Sequence, residues 1–166
     1  MTVVLYALVA VLLLAAVLLA AGQAGWLAGS APADLGVRDG RLKAPSRTPN
    51  SVSSQAELHT GSGALVDYAR IPPLAGGADL AATMKRLCAI VGNMPGARVV
   101  SARSDYLYVQ FSTRWLKFVD DAEFWASPGE GVIHVRSASR LGRKDFGVNR
   151  ARIEAIRAAL AGAGSG

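Results

Sequence analysis

Six basic side chains crowd the C-terminal fifth of this 166-residue chain: Arg136, Arg140, Arg143, Lys144, Arg150 and Arg152 fall within 17 positions, with Asp145 as their one acidic companion. Guanidinium groups hold phosphate or carboxylate through paired donors, and a helix starting near Asn149 would add its free N–H groups to the same ligand. Arg136, Ser137, Ser139, Arg140, Asn149 and Arg150 therefore form a candidate anion site, with Asp120, Asp121, Glu123 and Asp145 as its supporting polar network. The ligand class is an anionic small molecule or a lipid headgroup. The same residues also support a plainer role as a brace, with Arg136 paired to Asp121 across a hairpin, Asp145 holding the loop and Arg150 paired to Glu154 one turn later.

Other chemistries find less support. Asp120, Asp121 and Glu123 are close in sequence, but strand alternation sends Asp120 to one face and the other two to the opposite one, which disfavours a paired-carboxylate dyad. His59 and His134 lack carboxylates at metal-ligand spacing, so no metal site is assigned and no cofactor is expected. Gly61-Ser62-Gly63 reads as a flexible loop rather than a nucleophile elbow, and no catalytic residue is assigned. An uncharacterised enzyme stays open as an alternative, with Asp120 as the residue to watch. Nucleic acid would want more than the net +6 of this chain and stacking aromatics among the cations, and is not expected as a partner.

The elements that must position these residues follow from periodicity. Ala64–Ile71 has strand composition and stops at Pro72-Pro73, and residues 78–91 carry Leu80, Met84, Leu87, Cys88 and Val91 on one helical stripe. Four candidate strands follow, at 98–103, 106–113, 116–124 and 132–139, and then a helix at 150–160 with Asn149 as its N-cap. The expected fold is α+β: an antiparallel sheet of about five strands in the order strand, helix, four strands, helix, covered by the helices. Centring the last hairpin on Ser127-Pro128-Gly129-Glu130 sets Phe124 against Ile133, Glu123 against a solvent-facing His134, Asp121 against Arg136 and Asp120 against Ser137. This register puts Asp120 on the apolar face, where it must find partners.

The N-terminus is a different object. Val3–Ala21 is 19 consecutive residues without a charge, an amide or a glycine, and a helix of that length covers roughly 30 Å, the thickness of a bilayer core. A single-pass anchor is expected over residues 1–28, a linker and extended lead-in over 29–50, and the α+β domain over 51–162. A cleaved secretory signal is the competing reading, since Gly22-Gln23-Ala24 offers small residues in cleavage-like positions. The nearest basic residue after the span, Arg38, is too distant to settle the orientation.

Four blocks carry a family resemblance: Leu35-Gly36-Val37 with Leu42-Lys43; Pro49 to Ala56; Val119-Asp120-Asp121-Ala122-Glu123-Phe124; and Val135 to Gly142 with Asp145 to Glu154. Together, over about residues 35–160, they resemble the bacterial and plastid family called domain of unknown function 1499. The resemblance implies no assigned activity, and it implies a signal or membrane anchor ahead of the domain, hence a bacterial inner membrane as the expected location. Family members commonly carry cysteines where this chain has Pro45 and Ser51, so a stapled or redox-active loop does not carry over. Cys88 is the one cysteine of the chain and is expected in packed core.

Overall fold

The computed structural model describes residues 1–59 and 63–163, so Gly61 and Ser62 of the glycine-rich loop lie outside the described residues. Its elements are α1 (Thr2–Gln23), β1 (Ser51–Ser53), a 3-10 turn (Ala56–Leu58), α2 (Ala64–Ala69), β2 (Leu74–Ala75), α3 (Leu80–Gly92), β3 (Ala97–Ala102), β4 (Tyr106–Ser112), β5 (Val119–Ser127), β6 (Val132–Ser139) and α4 (Val148–Gly162). The sheet is antiparallel, in the order β1-β6-β5-β4-β3, with β2 also pairing with β6. The fold is α+β, as the periodicity predicts.

Alternation along the strands makes two faces. Leu107, Val109 and Phe111 of β4, Ala122, Phe124 and Ala126 of β5, and Ile133 and Val135 of β6 point to one side, where they meet Leu87 and Val91 of α3 and Ile153 and Ile156 of α4 in one core cluster. Cys88 packs against the edge of this cluster. The other face carries Tyr106, Tyr108, Asp121, Glu123, Trp125, His134 and Arg136. Residues 29–50 cover it: the Gly36 N–H and the Ala44 carbonyl bond to Glu123 and Arg136, and between them a Cβ at Gly40 would lie 3.9 Å from the Trp125 ring. The lead-in is therefore a fitted strap over the outer face of the sheet.

Several local expectations are corrected. Ala64–Ala69 is helical rather than extended, with Val66 and Ala69 buried three residues apart against Ala56, because a short apolar run fits either period and its packing decides. The additional strands are β1 and β2, both too short to register as period-two patterns. The strand expected at 116–124 runs instead over Val119–Ser127, and residues 113–118 form a loop closed by Thr113 N–H to Phe118 O (2.9 Å) and Phe118 N–H to Thr113 Oγ1 (3.0 Å). The β5–β6 pairing is shifted by two: Phe124 opposes Val135, Glu123 opposes Arg136, Asp121 opposes Ala138 and Asp120 opposes Ser139. A four-residue loop ending in Gly131, at φ +68°, replaces the two-residue turn and accounts for the shift. A shift of two preserves both faces, so only the partners change.

α1 is long and apolar enough to cross a membrane, a test that a signal sequence also meets. Its side chains are exposed on every side except at its end, where Gly22 is buried against the 113–118 loop. A Cβ at Gly22 would lie 2.6 Å from the Leu116 carbonyl oxygen, so only glycine allows the approach. Gln23 Nε2 then donates to the Trp115 carbonyl at 2.8 Å.

Phe124 is fully buried at the centre of the core, while Val99 on β3 is substantially exposed. Phe124→Ala is expected to lower the unfolding free energy by about 3–5 kcal/mol, and Val99→Ala by less than about 1 kcal/mol, in urea denaturation.

Candidate functional site

On the outer face, β4 and β5 line up acceptors under donors in two layers. In the first, Tyr106 donates its hydroxyl to Glu123 Oε1 (2.8 Å), which also accepts the Gly36 N–H (2.7 Å) from the strap. Arg136 Nη1 approaches Glu123 Oε2 to 3.6 Å, and these two buried atoms make no hydrogen bond. Burial pushes the Glu123 carboxyl above its ordinary value, opposed by the Gly36 N–H and the Arg136 charge. Burial likewise pulls the Arg136 guanidinium down and pushes the Tyr106 phenol up.

The second layer is tighter. Arg140 grips Asp121 with two donors, Nε to Oδ2 at 2.8 Å and Nη2 to Oδ1 at 2.7 Å, and Tyr108 donates to Asp121 Oδ1 at 2.5 Å. The hydrogen bond to Asp121 raises the Arg140 pKa. Arg140 also reaches the Gly29 carbonyl at 3.5 Å, tying the start of the strap to the end of β6. His134, expected to face solvent opposite Glu123, is buried: it stacks on Trp125, its actual cross-strand neighbour, and contacts Ser54 Oγ and Glu130 Oε1, each at 3.1 Å. The strap turns what would be a solvated face into an interior one.

A second network occupies the inner face beside α4. Asp120 accepts from Arg152 Nη2 (2.6 Å), whose Nη1 donates to Ser137 Oγ (3.2 Å) and Asn149 Oδ1 (2.9 Å). Asn149 Nδ2 donates to Ser139 Oγ, Asp145 Oδ2 and the Asn50 carbonyl. Asn149 is therefore not the N-cap. The helix starts at Val148 after Gly147 in the left-handed region, and Asp145 takes the N–H groups of Gly147 and Asn149 at 3.1 Å each, together with the Tyr68 hydroxyl. Burial alone would raise the Asp145 carboxyl, but these donors together hold it below the usual range. Arg150 does not pair with Glu154. Its guanidinium donates to the carbonyls of Tyr68 and Arg70, and Glu154 accepts from Arg157.

The sheet thus divides the predicted constellation. Arg136 and Arg140 belong to the outer face with Glu123 and Asp121, Ser137, Ser139 and Asn149 to the inner face with Asp120 and Asp145, and Arg150 to the edge under α2. Its three cations, Arg136, Arg140 and Arg150, each find a partner inside the fold, whereas Arg143 and Lys144 of the basic cluster are exposed. Arg152, counted in the basic cluster but not assigned to the site, completes the inner network, and Tyr106 and Tyr108, which were not singled out, complete the outer one. The parity that places Asp121 and Glu123 together also places both tyrosines on their face, which is the available signal.

Two cation-lined cavities lie elsewhere. One, of about 760 Å³, opens between the 113–118 loop, the α3–β3 turn and the start of α4, and is lined by Arg114, Lys117 and Arg152 with Met94, Phe111 and Val148. The other, of about 600 Å³, is formed by the strap and includes Arg38, Arg41, Lys43 and His59. Neither was visible as a spacing pattern. Among the described residues no group of three His, Cys, Asp or Glu side chains is arranged to hold a metal ion.

Two of the buried acids, Asp145 and Glu123, have opposite pH signatures. Asp145, held below its ordinary value near 3.8, contributes stability that is complete above that value and lost as pH falls through the folded pKa. Glu123, raised above 4.5, contributes in the other sense: stability is complete below 4.5 and declines as pH rises through the folded pKa. Asp145→Asn is expected to cost about 2–4 kcal/mol at neutral pH and to flatten the acid limb below about pH 4 in urea midpoints, whereas Glu123→Gln should remove the decline above it.

No curated protein and no solved structure matches the chain. A family model does, described as a protein of unknown function (DUF1499) and covering residues 41–160, which contain β1 to β6, most of α4 and the charged side chains of both polar networks. On that match the chain belongs to the DUF1499 family.

Proposed function

We propose that this is a single-pass membrane protein whose domain rests on the bilayer surface and recognises phosphate-bearing lipid headgroups through the cavity beside the 113–118 loop. The observation that carries this reading is the contact of α1 with that same loop. If α1 spans a bilayer, Gly22 and Gln23 mark its exit, and their contacts with Leu116 and Trp115 bring the loop to the headgroup layer.

The chemistry of the loop agrees. Trp26, just past α1, and Trp115 are both exposed, the placement favoured by amphipathic rings at an interface. Arg114 lies 4.9 Å over the Trp115 ring, and Lys117 is held at φ +56°, an unusual conformation for a non-glycine residue. The cavity lining has three cations and no carboxylate, and its walls include the apolar side chains of Met94, Phe111 and Val148. Arg152 is already committed to Asp120, so Arg114 and Lys117 are the groups available to a phosphate.

In this reading Arg136, Ser137, Ser139, Arg140, Asn149 and Arg150 brace the fold, which their internal partners support. They hold the strap, the sheet and α4 in one unit, and the headgroup site is built on that unit.

Full-length protein in detergent micelles with added phosphatidylglycerol is expected to retain that lipid in native mass spectrometry. Each basic residue at a membrane surface contributes on the order of 1 kcal/mol, so the Arg114→Ala, Lys117→Ala double variant should retain roughly 10- to 30-fold less. Equal retention by the variant would remove the reading.

A further inference from the structure

The geometry points to a second binding site, distinct from the headgroup cavity, for a small soluble dianion carrying phosphate or carboxylate groups, clamped between Arg38 and Arg41 on the strap. The strap contains a built element at this point. Arg38 and Arg41 form an isolated antiparallel bridge, exchanging N–H···O bonds of 2.9 and 3.0 Å around Asp39 (φ 51°) and Gly40 (φ 70°). Two central residues with positive φ make the tight turn that fits a two-residue hairpin, and Asp-Gly is a preferred pair for it. Gln55 pins the hairpin from below, donating to the Gly40 carbonyl (3.0 Å) and accepting the Leu42 N–H (2.9 Å), and Leu42 itself is buried.

This hairpin sets two guanidinium-bearing residues directly opposite each other, with Cα atoms about 5.5 Å apart, as is usual for a hydrogen-bonded antiparallel pair. Like charges in that position repel, so a strap that only covered the sheet would gain nothing from them. A shared dianion reverses the sign of the arrangement. Both arginines line the strap cavity of about 600 Å³.

The remaining lining sharpens the ligand class. Lys43 is paired with Asp34, and Arg41 gives one donor to the Leu58 carbonyl at 3.0 Å. Arg38 has no side-chain partner among the described residues, and the uncommitted carboxylate of the lining, Asp39, sits on the exposed turn. His59 lines the same cavity, and its Nε2 is buried with no hydrogen-bond partner. An anion between the arginines would give that nitrogen an acceptor. Burial first, and then the charges of Arg41 and Arg136, hold the His59 pKa below its ordinary value, so an added negative charge acts in the opposite direction.

Position separates this site from the bilayer. Along the strap, Gly29 touches Arg140 near the start of β5, Gly36 meets Glu123, and Gly40 lies over Trp125, progressively farther from the 113–118 loop that holds α1. The cavity therefore faces dissolved ligands rather than headgroups.

The test uses the full chain in neutral detergent micelles, titrated separately with inorganic phosphate and with succinate, reading heat of binding and the His59 ring signals in NMR. Saturable binding of at least one of the two below about 10 mM, with an upward shift of the His59 titration midpoint, is expected. Arg38→Ala, which removes an exposed side chain without partners, should weaken binding at least about tenfold while leaving the melting temperature unchanged. Arg114→Ala with Lys117→Ala should not affect it, so failure here and failure of the headgroup reading are separate results. Binding of phosphate alone assigns a phosphoryl ligand and binding of succinate alone a dicarboxylate. No saturation with either, or equal affinity in Arg38→Ala, overturns the site.

Discussion

A β-sheet whose two faces are both buried must satisfy whatever each face carries, and here one face carries charge. Asp121, Glu123, Arg136 and His134 lie under residues 29–50 with little access to water. Buried carboxylates are tolerated only with donors close by. Tyr106, Tyr108, Arg140 and the Gly36 N–H supply them. The strap is therefore a structural requirement of the sheet, and the sheet orders the strap in return. The gap between Glu123 Oε2 and Arg136 Nη1 is the one imperfect join in this layer, and burial shifts both groups toward their neutral forms there.

That dependence reaches both ends of the chain. Arg140 joins the second layer to Gly29, and from there it is a short path back to Gln23 and the end of α1. On the inner face, Asp145 and Asn149 tie the start of α4 to Asn50 and Ser139, so the helix, β6 and the strand-like start of the domain share one set of hydrogen bonds. The basic C-terminal fifth is largely internal wiring. Of its six clustered cations Arg143 and Lys144 stay exposed, and three cations that line the two cavities without a carboxylate partner, Arg114, Lys117 and Arg38, come from loops that the overall charge distribution does not mark.

Much of the fold is legible in the sequence because it rests on periodicity. The stripe of Leu80, Met84, Leu87 and Val91 and the alternation through Leu107, Val109 and Phe111 each identify an element and its buried face. Asp120 on the apolar side needing a partner was equally legible, and Arg152 is that partner. What failed was local: the short run at Ala64–Ala69 has too few residues to show a period, and the pairing of β5 with β6 depends on loop length, which a Pro-Gly pair does not specify.

From the sequence alone came the α+β class, the apolar N-terminal helix, the two faces of the sheet and the family resemblance, because each is set by residue type at fixed spacing along the chain. Only the tertiary structure decided what each charged side chain meets. Those partners lie as many as 111 positions apart, as for Arg140 and Gly29, and their distance depends on where the strap crosses the sheet. Periodicity carries no information about that crossing, so a cluster of arginines that reads as one site in sequence separates in space into braces on two faces.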